Sequence, residues 1–445
     1  MSNPSFGGGN PLEHLLGDLL KLISNAGPVQ WDMARQLAHA VATDGQPEPN
    51  VDPLERIKLE SLARVAELHV AEATGMSAAL GGGLVTIRPV GRSEWASRTL
   101  DDWRPLLDSL AASLSQAPGS QTGRDQGAPG GPGRPDQGEG QGPPAGQEGT
   151  SGMGPGGMGP AGAGGGGLEG FGGGPGNLPG LGGLGDLLGS LGQVMGPAIL
   201  GLQVGSALGH LSRRAMGPYV LPVPRPAADE LLVVPANMAS FAEDWSLPAD
   251  EVRLWVCLNE LTHHALLGRP HIRARLEELI GGYVGGFQPD TTGIEQRLAG
   301  VDPSDPESLQ AALGDPTALL GELQTPAQRQ LLAQLEAVVV AVEGYSDHVM
   351  DTVGHRLIQS YPSLTEALRR RRVERDEGER MVEQLFGLEL GQDLYDRGAA
   401  FVGGVVERAG EEALGRLWDS VATLPTPAEV DAPGLWLARI SLPEG

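Results

Sequence analysis

The 445-residue chain has one cysteine, Cys257, and two lysines, Lys21 and Lys58. A lone cysteine cannot form an intramolecular disulfide, and residues Met1 to Asn10 have neither the basic nor the apolar region of a secretory leader, so the expected compartment is the cytoplasm. Scarce lysine and a net charge of -25 leave few cations to neutralise phosphates, which argues against a nucleic-acid partner. Long apolar runs are also missing. The nearest, Leu181 to Leu211, is broken by glycine throughout and carries Asp186, Gln193 and Gln203, whereas a membrane span needs about 20 predominantly apolar residues. A membrane association is therefore not expected. Gly201, Gly205, Ala207 and Gly209 in that run suit close helix packing instead. No P-loop, dinucleotide-binding glycine fingerprint or nucleophile elbow occurs.

Glycine and proline are abundant, at 69 and 36 residues, and their distribution divides the chain. Residues 1–115 read as an N-terminal helical unit, in which Leu54, Ile57, Leu62, Val65 and Leu68 share one helix face. A second helix, opened by Ser93, carries Trp95, Thr99, Trp103 and Leu107 on one face. Residues 116–182 are Gly, Pro, Gln and Ser with few apolar anchors, a composition that cannot offset the entropy of ordering, and read as a disordered linker. Residues 183–445 read as a helical domain with little strand, Glu230 to Val234 being the best strand candidate before Pro235. The fold class is mainly α. Within this domain Ser246 reads as the N-cap of a helix with Pro248 near its first turn, a second helix spans about His271 to Tyr283, and an acidic loop runs from about Gln288 to Asp315. Thr325-Pro326 then caps a long helix through about Val353.

The first of these helices contains Asn259-Glu260-Leu261-Thr262-His263, one substitution from H-E-x-x-H. In that motif two histidines one turn apart hold zinc and the glutamate polarises the attacking water. Here Glu260 and His263 occupy two of the three places and Asn259, whose amide oxygen is a poor zinc ligand, the third. Val252, Trp255, Val256, Asn259, His263 and Leu266 share a face, so the motif looks inward. A hydrogen-bonded Asn/His pair in the core fits the same spacing. The metzincin extension is absent, with Leu266 and Arg269 where it needs glycine and histidine.

Catalytic zinc usually takes three protein ligands, and the long helix offers Glu343, Asp347 and Asp351 at i, i+4 and i+8, beside an apolar face of Val338, Val342, Tyr345, Val349 and Val353. Such a stripe serves either as a solvated face or, paired with His263, as a source of ligands. The run Arg369 to Arg372 suggests either an anionic partner or, because Glu374, Asp376, Glu377 and Glu379 follow it, a solvated and self-paired helix face, and the second reading is favoured.

Several stretches together resemble the actinobacterial zincin-like metallopeptidases, a family described as hydrolases or zinc-dependent metalloproteases, one branch of which is associated by name with coenzyme F420 biosynthesis. They are Gly27 to Asp32, Pro235 to Glu243, Asn259 to His263, Glu343 to Asp351, Tyr395 to Phe401 and Leu424 to Pro427. The resemblance implies a mostly helical zincin-like fold, with Glu260 as general base, His263 as a zinc ligand and Glu343 as the third ligand. Asn259 or Asp347 would complete the set. Asn259 replaces the first histidine, and Tyr345 stands where the second segment of the family often reads Glu-Gly-His. Losing an outer partner alone costs about 10- to 100-fold in metal affinity, so zinc is expected to bind weakly or not at all. Two functions follow from this: a pseudopeptidase that binds an unidentified peptide or protein, or a zinc hydrolase acting through Glu260.

Overall fold

The computed structural model describes residues 29–79, 83–115, 200–287 and 325–442. The Gly/Pro-rich stretch 116–182, the acidic loop from Gln288 to Asp315 and the start of the chain lie outside the described residues.

Helices dominate, as composition and periodicity predict. In the N-terminal part they are α1 (Trp31–Thr43), α2 (Pro53–Thr74) and α3 (Arg92–Ser115), with strand β1 (Thr86–Pro89) between the last two. Helical residues 200–212 form α4, followed by β2 (Glu230–Val233), α5 (Pro235–Asp244), α6 (Ala249–Leu267) and α7 (Pro270–Gly285). After residue 325 come α8 (Pro326–Leu357), α9 (Tyr361–Val373), α10 (Glu377–Phe386), α11 (Gln392–Ala409) and the short α12 (Glu412–Gly415), α13 (Pro427–Val430) and α14 (Pro433–Ser441). The described residues on both sides of 119–188 form one compact unit. Within it α1 packs on α3, α2 on α6 and α3 on α7. β1 pairs with β2 in parallel, from Thr86 opposite Glu230 to Pro89 opposite Val233.

Helix α2 forms, but with the opposite face inward. Leu54, Ile57, Val65 and Leu68 are exposed and Leu62 is half-buried against the core, while Leu59, Ala63, Ala66 and Val70 are buried. The helix has two apolar faces, and periodicity weighs them by side-chain size. Close approach to α6 selects the smaller one. At its N-terminal end a bidentate pair, Arg253 with Glu55 at 2.8 Å, ties α2 to α6.

Two helix starts differ from the expected ones. α3 begins at Arg92, and its first N–H groups, on Arg92 and Ser93, are satisfied by the carboxylate of Glu48 from the connection after α1. The Ser93 hydroxyl donates to that same carboxylate, so a distant acid takes the capping role expected of Ser93. Ser246 has a left-handed backbone, φ 52°, and Leu247 N–H donates to Ala242 O at 2.8 Å. It therefore closes α5, and α6 starts three residues on, with Pro248 as N-cap and Asp250 and Glu251 at the positive end of its dipole.

The long helix matches its cap. Thr325 and Gln328 form a reciprocal capping box at 3.0 and 3.1 Å. α8 then runs through the middle of the molecule against α6, α7, α2 and α11, with Val338, Val342, Tyr345, Val349 and Val353 all buried. It crosses α11 where Gly344 meets Gly398. A methyl on Gly344 would lie 2.5 Å from the Gly398 backbone, and one on Gly398 would lie 2.9 Å from the Gly344 Cα. This crossing brings Glu343, next to Gly344, close to Tyr395, one turn before Gly398.

Candidate active site

The motif helix α6 is buried over almost its whole second half, so its polar residues need partners inside the protein. Glu260 has two. The Tyr219 N–H donates to Oε2 at 2.8 Å, and the Asn259 side-chain amide donates to Oε1 at 3.2 Å. Gly217 presses on the same carboxyl: a Cβ there would lie 2.2 Å from its Cδ. The Gly217 carbonyl is fixed by Trp95 Nε1–H at 3.1 Å, and the Pro218 carbonyl by Arg225 Nε–H at 3.0 Å. Arg225 itself lies between the rings of Trp95 and Trp103 and pairs with Asp102 at 2.9 Å. Residues 217–219 are thus a clamped buttress behind Glu260. Burial pushes the Glu260 carboxyl above the usual range, with His263 and the two hydrogen bonds opposing.

His263 faces two ways. Its Nδ1–H donates to the Asn259 carbonyl one turn back at 2.9 Å, and Nε2 lies 3.4 Å from Glu343 Oε1. Burial alone would depress the imidazole, but Glu343 outweighs it with help from Glu260, and His263 is raised to about 9. The neighbouring His264 points elsewhere. Its Nδ1 is 2.8 Å from the Tyr219 hydroxyl, its Nε2 is buried without a partner, and burial lowers it to about 4.

Glu260, His263, Glu343 and Asn259 line one cleft of about 150 Å³. Trp255, Met216, Val220 and Leu368 form apolar walls, and Tyr395 and Arg371, Arg372 and Arg375 also line it. Asp347 does not line the cleft. Its carboxylate accepts both terminal nitrogens of Arg372, at 3.0 and 2.8 Å, and the Arg372 guanidinium lies 3.9 Å from the Tyr395 ring centroid. The acidic stripe therefore splits by role: Glu343 is buried, Asp347 holds Arg372, and Asp351 accepts from the Tyr361 hydroxyl at 2.8 Å. The arginine run splits as well. Arg369 and Arg370 pair with Glu366 as a solvated face would, whereas Arg371 and Arg372 turn into the cleft wall. Arg371 donates to the Arg214 carbonyl, and burial lowers it to about 10.

Sequence reasoning did not single out residues 217–219, and it read Arg372 as part of a solvated, self-paired run, whereas Arg372 lines the cleft on Asp347 and Tyr395. Gly217-Pro218-Tyr219 has no periodic signal, and its role comes from a contact across more than forty residues. Tyr395 was visible only as part of a family-like stretch.

The family model for zincin-like metallopeptidases matches residues 29–437. The chain belongs to that family. Among solved structures it is similar to a protein from Chloroflexus aurantiacus described as "a putative hydrolase with a novel fold", with 21% identity, a TM-score of 0.56, and coverage of 94% of this chain and 100% of that one. At that identity the likeness concerns the fold. No curated protein matches. No helix among the described residues is long and apolar enough to cross a membrane.

A zincin-like family implies zinc, and the side chains present can be compared with what zinc requires. The neutral His263 tautomer with Nδ1–H on a backbone carbonyl is the form a metal-ligating histidine takes, and its Nε2 faces Glu343 Oε1 at 3.4 Å. Asn259 offers its N–H to Glu260. Among the described residues no three His, Cys, Asp or Glu side chains are grouped to hold a metal. Two strong donors are one short of the usual catalytic set, so the residues do not fit a catalytic zinc.

Proposed function

We propose that this zincin-like protein is a pseudopeptidase, keeping the family cleft as a binding site for a peptide or protein segment. The observation that carries this reading is the Asn259 amide. It stands at the first ligand position of the motif and is engaged with Glu260 at 3.2 Å, the residue whose ionised form would serve as general base. The His263–Glu343 pair adds to it: a proton on His263 balances the Glu343 carboxylate where the family would hold a divalent ion. Apolar walls around a few convergent polar groups are the make-up of a binding pocket.

A second reading has its own support. Glu260, His263 and Glu343 share one cleft, and the family carries a hydrolase description, both of which favour a zinc-dependent hydrolase with Glu260 as base. The actinobacterial branch and its association with coenzyme F420 belong to the proposal, as does a cytoplasmic location. Elemental analysis of protein purified without added metal separates the readings. The pseudopeptidase reading expects well under one zinc per chain, and a gain of zinc affinity of about tenfold or more in Asn259→His. Near-stoichiometric zinc in the unaltered protein, with peptide hydrolysis lost in Glu260→Gln, would establish the hydrolase instead.

A further inference from the structure

The charged groups that line the cleft are matched with one another, save one. Glu260 holds the Tyr219 N–H and the Asn259 amide, and Glu343 faces His263. Glu379 pairs with Arg214 at 3.3 Å, Glu383 with Arg375, and Arg372 with Asp347 at 2.8 Å. Arg371 is the exception. Its guanidinium donates to the Arg214 carbonyl and lies 5.3 Å from the Phe241 ring centroid, but it makes no ion pair with any described residue. A guanidinium has five N–H groups, and this bond uses one of them. None of its nitrogens is buried without a partner, so the remaining donors reach solvent, and Arg371 lines the cleft.

This cation is held in place. Arg214 donates to the carbonyls of Glu374 at 2.6 Å and Arg371 at 3.3 Å, and Arg371 donates back to the Arg214 carbonyl. With one edge on that carbonyl and one face on Phe241, the guanidinium has little freedom left to lose when a ligand binds. Burial and the neighbouring Arg214 lower it to about 10, so it stays charged at neutral pH, without the counter-charge that a charge in a buried setting ordinarily has.

The wall beside it is apolar. Leu368 stands one turn before Arg371 on α9, and Trp255, Met216 and Val220 line the same space. A carboxylate next to an apolar group is the chemistry of a peptide's last residue. An amino terminus would find each carboxylate of the lining already engaged, and an inorganic anion would leave the apolar wall unused. At about 150 Å³ the cleft is smaller than the roughly 300–1,000 Å³ of sites that enclose a drug-sized ligand, so it admits the end of a chain and not its middle.

We propose that the cleft takes the free C-terminus of a peptide, with the terminal carboxylate on Arg371 and the last side chain against Trp255 and Leu368. This rests on the reading of the cleft as a peptide-binding site and names the part of the peptide it recognises. Arginine suits the task because its planar fork can hold both oxygens of a carboxylate.

The test is isothermal titration calorimetry on the full chain at neutral pH with acetyl-Ala-Ala-Leu, acetyl-Ala-Ala-Phe and acetyl-Ala-Ala-Met, each as free acid and as C-terminal amide. An acid should bind at least about tenfold more tightly than its amide, the loss expected with a charge-assisted hydrogen bond. In Arg371→Gln the two forms should bind alike. Arg371→Lys, which keeps the charge, should retain part of the preference, and Arg370→Gln, an exposed arginine of the same helix, all of it. Acids and amides that bind the unaltered protein equally would overturn carboxylate capture and leave the cleft a peptide site, whereas no binding of either form would overturn both. A preference that survives Arg371→Gln would overturn the role of Arg371. Isocaproate keeps the carboxylate and the apolar side chain without a peptide group, and its binding as tightly as the acids would overturn the peptide as ligand, as would displacement of the acids by an equal concentration of inorganic phosphate. Release of the last residue from the acids but not from the amides would support the capture and overturn the pseudopeptidase reading alone.

Discussion

Gly217 is where one methyl group should be felt most in this protein. A Cβ there would sit 2.2 Å from the Glu260 Cδ, and Glu260 cannot swing away without leaving the Tyr219 N–H and the Asn259 amide. Gly217→Ala should destabilise the fold by about 1–3 kcal/mol, the usual cost of overpacking. In a Glu260→Ala background, where the obstructing side chain is gone, the same change should cost at least about 1 kcal/mol less. Urea denaturation of the four proteins of that cycle measures the coupling directly, and additive costs would mean that Gly217 does not bear on Glu260. His264 provides a second residue-level prediction. Burial lowers it to about 4, below the ordinary value of about 6.5. The unfolded chain therefore binds the proton first, and stability present above pH 6.5 is lost as pH falls towards 4. By linkage that loss reaches about 3 kcal/mol. His264→Gln cannot take up the proton. Whatever it costs at pH 7.5, the gap to the unaltered protein should narrow by about 3 kcal/mol at pH 4, measured by denaturation at both values. At this scale the sequence revealed the motif residues themselves, because Asn259, Glu260 and His263 are adjacent on one helix. It could not reveal what holds them, since the Tyr219 N–H, Gly217 and Trp95 reach Glu260 from distant segments that leave no local pattern.

Elements were more legible where chemistry is local. Thr325 and Gln328 both lie within one turn of the start of α8 and specify that start, and Val338 to Val353 repeats with the period of a helix face. Ser246 misled because a serine before a proline and two acids has the composition of an N-cap, while its left-handed backbone is set by how α5 ends. The α8–α11 crossing was beyond sequence alone: two glycines more than fifty residues apart make a contact that neither helix announces. It has a measurable consequence. Gly398→Ala puts a methyl 2.9 Å from the Val340 carbonyl and the Gly344 Cα, atoms of a long central helix that cannot give way locally. About 1–3 kcal/mol of stability should be lost, at roughly 2–4 °C in Tm per kcal/mol for a domain of this size. Gly403→Ala is the control on the same helix. Nothing lies within 4 Å of its would-be Cβ, and alanine is the better helix former by about 1 kcal/mol, so its Tm should rise or stay level. Equal losses in the two variants would mean that helix propensity, not the crossing, sets the cost.

At the scale of the whole molecule, the contacts that join the two flanks of the chain are of the kind that form a core. β1 and β2 share a parallel ladder, and a parallel pair requires a long crossover between its strands. Here residues 90–229 separate them, too far apart for either strand to indicate the other. α2 lies on the motif helix, Trp95 reaches the Gly217 carbonyl, and the Ser113 hydroxyl donates to the Val284 carbonyl at 3.0 Å. Buried surface and backbone pairing on this scale should outlast the covalent connection. With a site-specific protease sequence inserted after Gly149 and cut in the folded protein, the two fragments should co-elute on size exclusion under native conditions. They should separate only once denaturant unfolds them, in one transition seen alike by tryptophan fluorescence and circular dichroism. Cleavage turns folding into a bimolecular association, which makes the midpoint depend on protein concentration. Tenfold dilution should lower the stability of the cut form by about 1.4 kcal/mol and leave the intact chain unchanged. Fragments that part in buffer, or that melt at two separate midpoints, would mean that residues 29–115 form a separate domain and that Trp95 and Arg225 brace the Glu260 buttress only while that domain is docked.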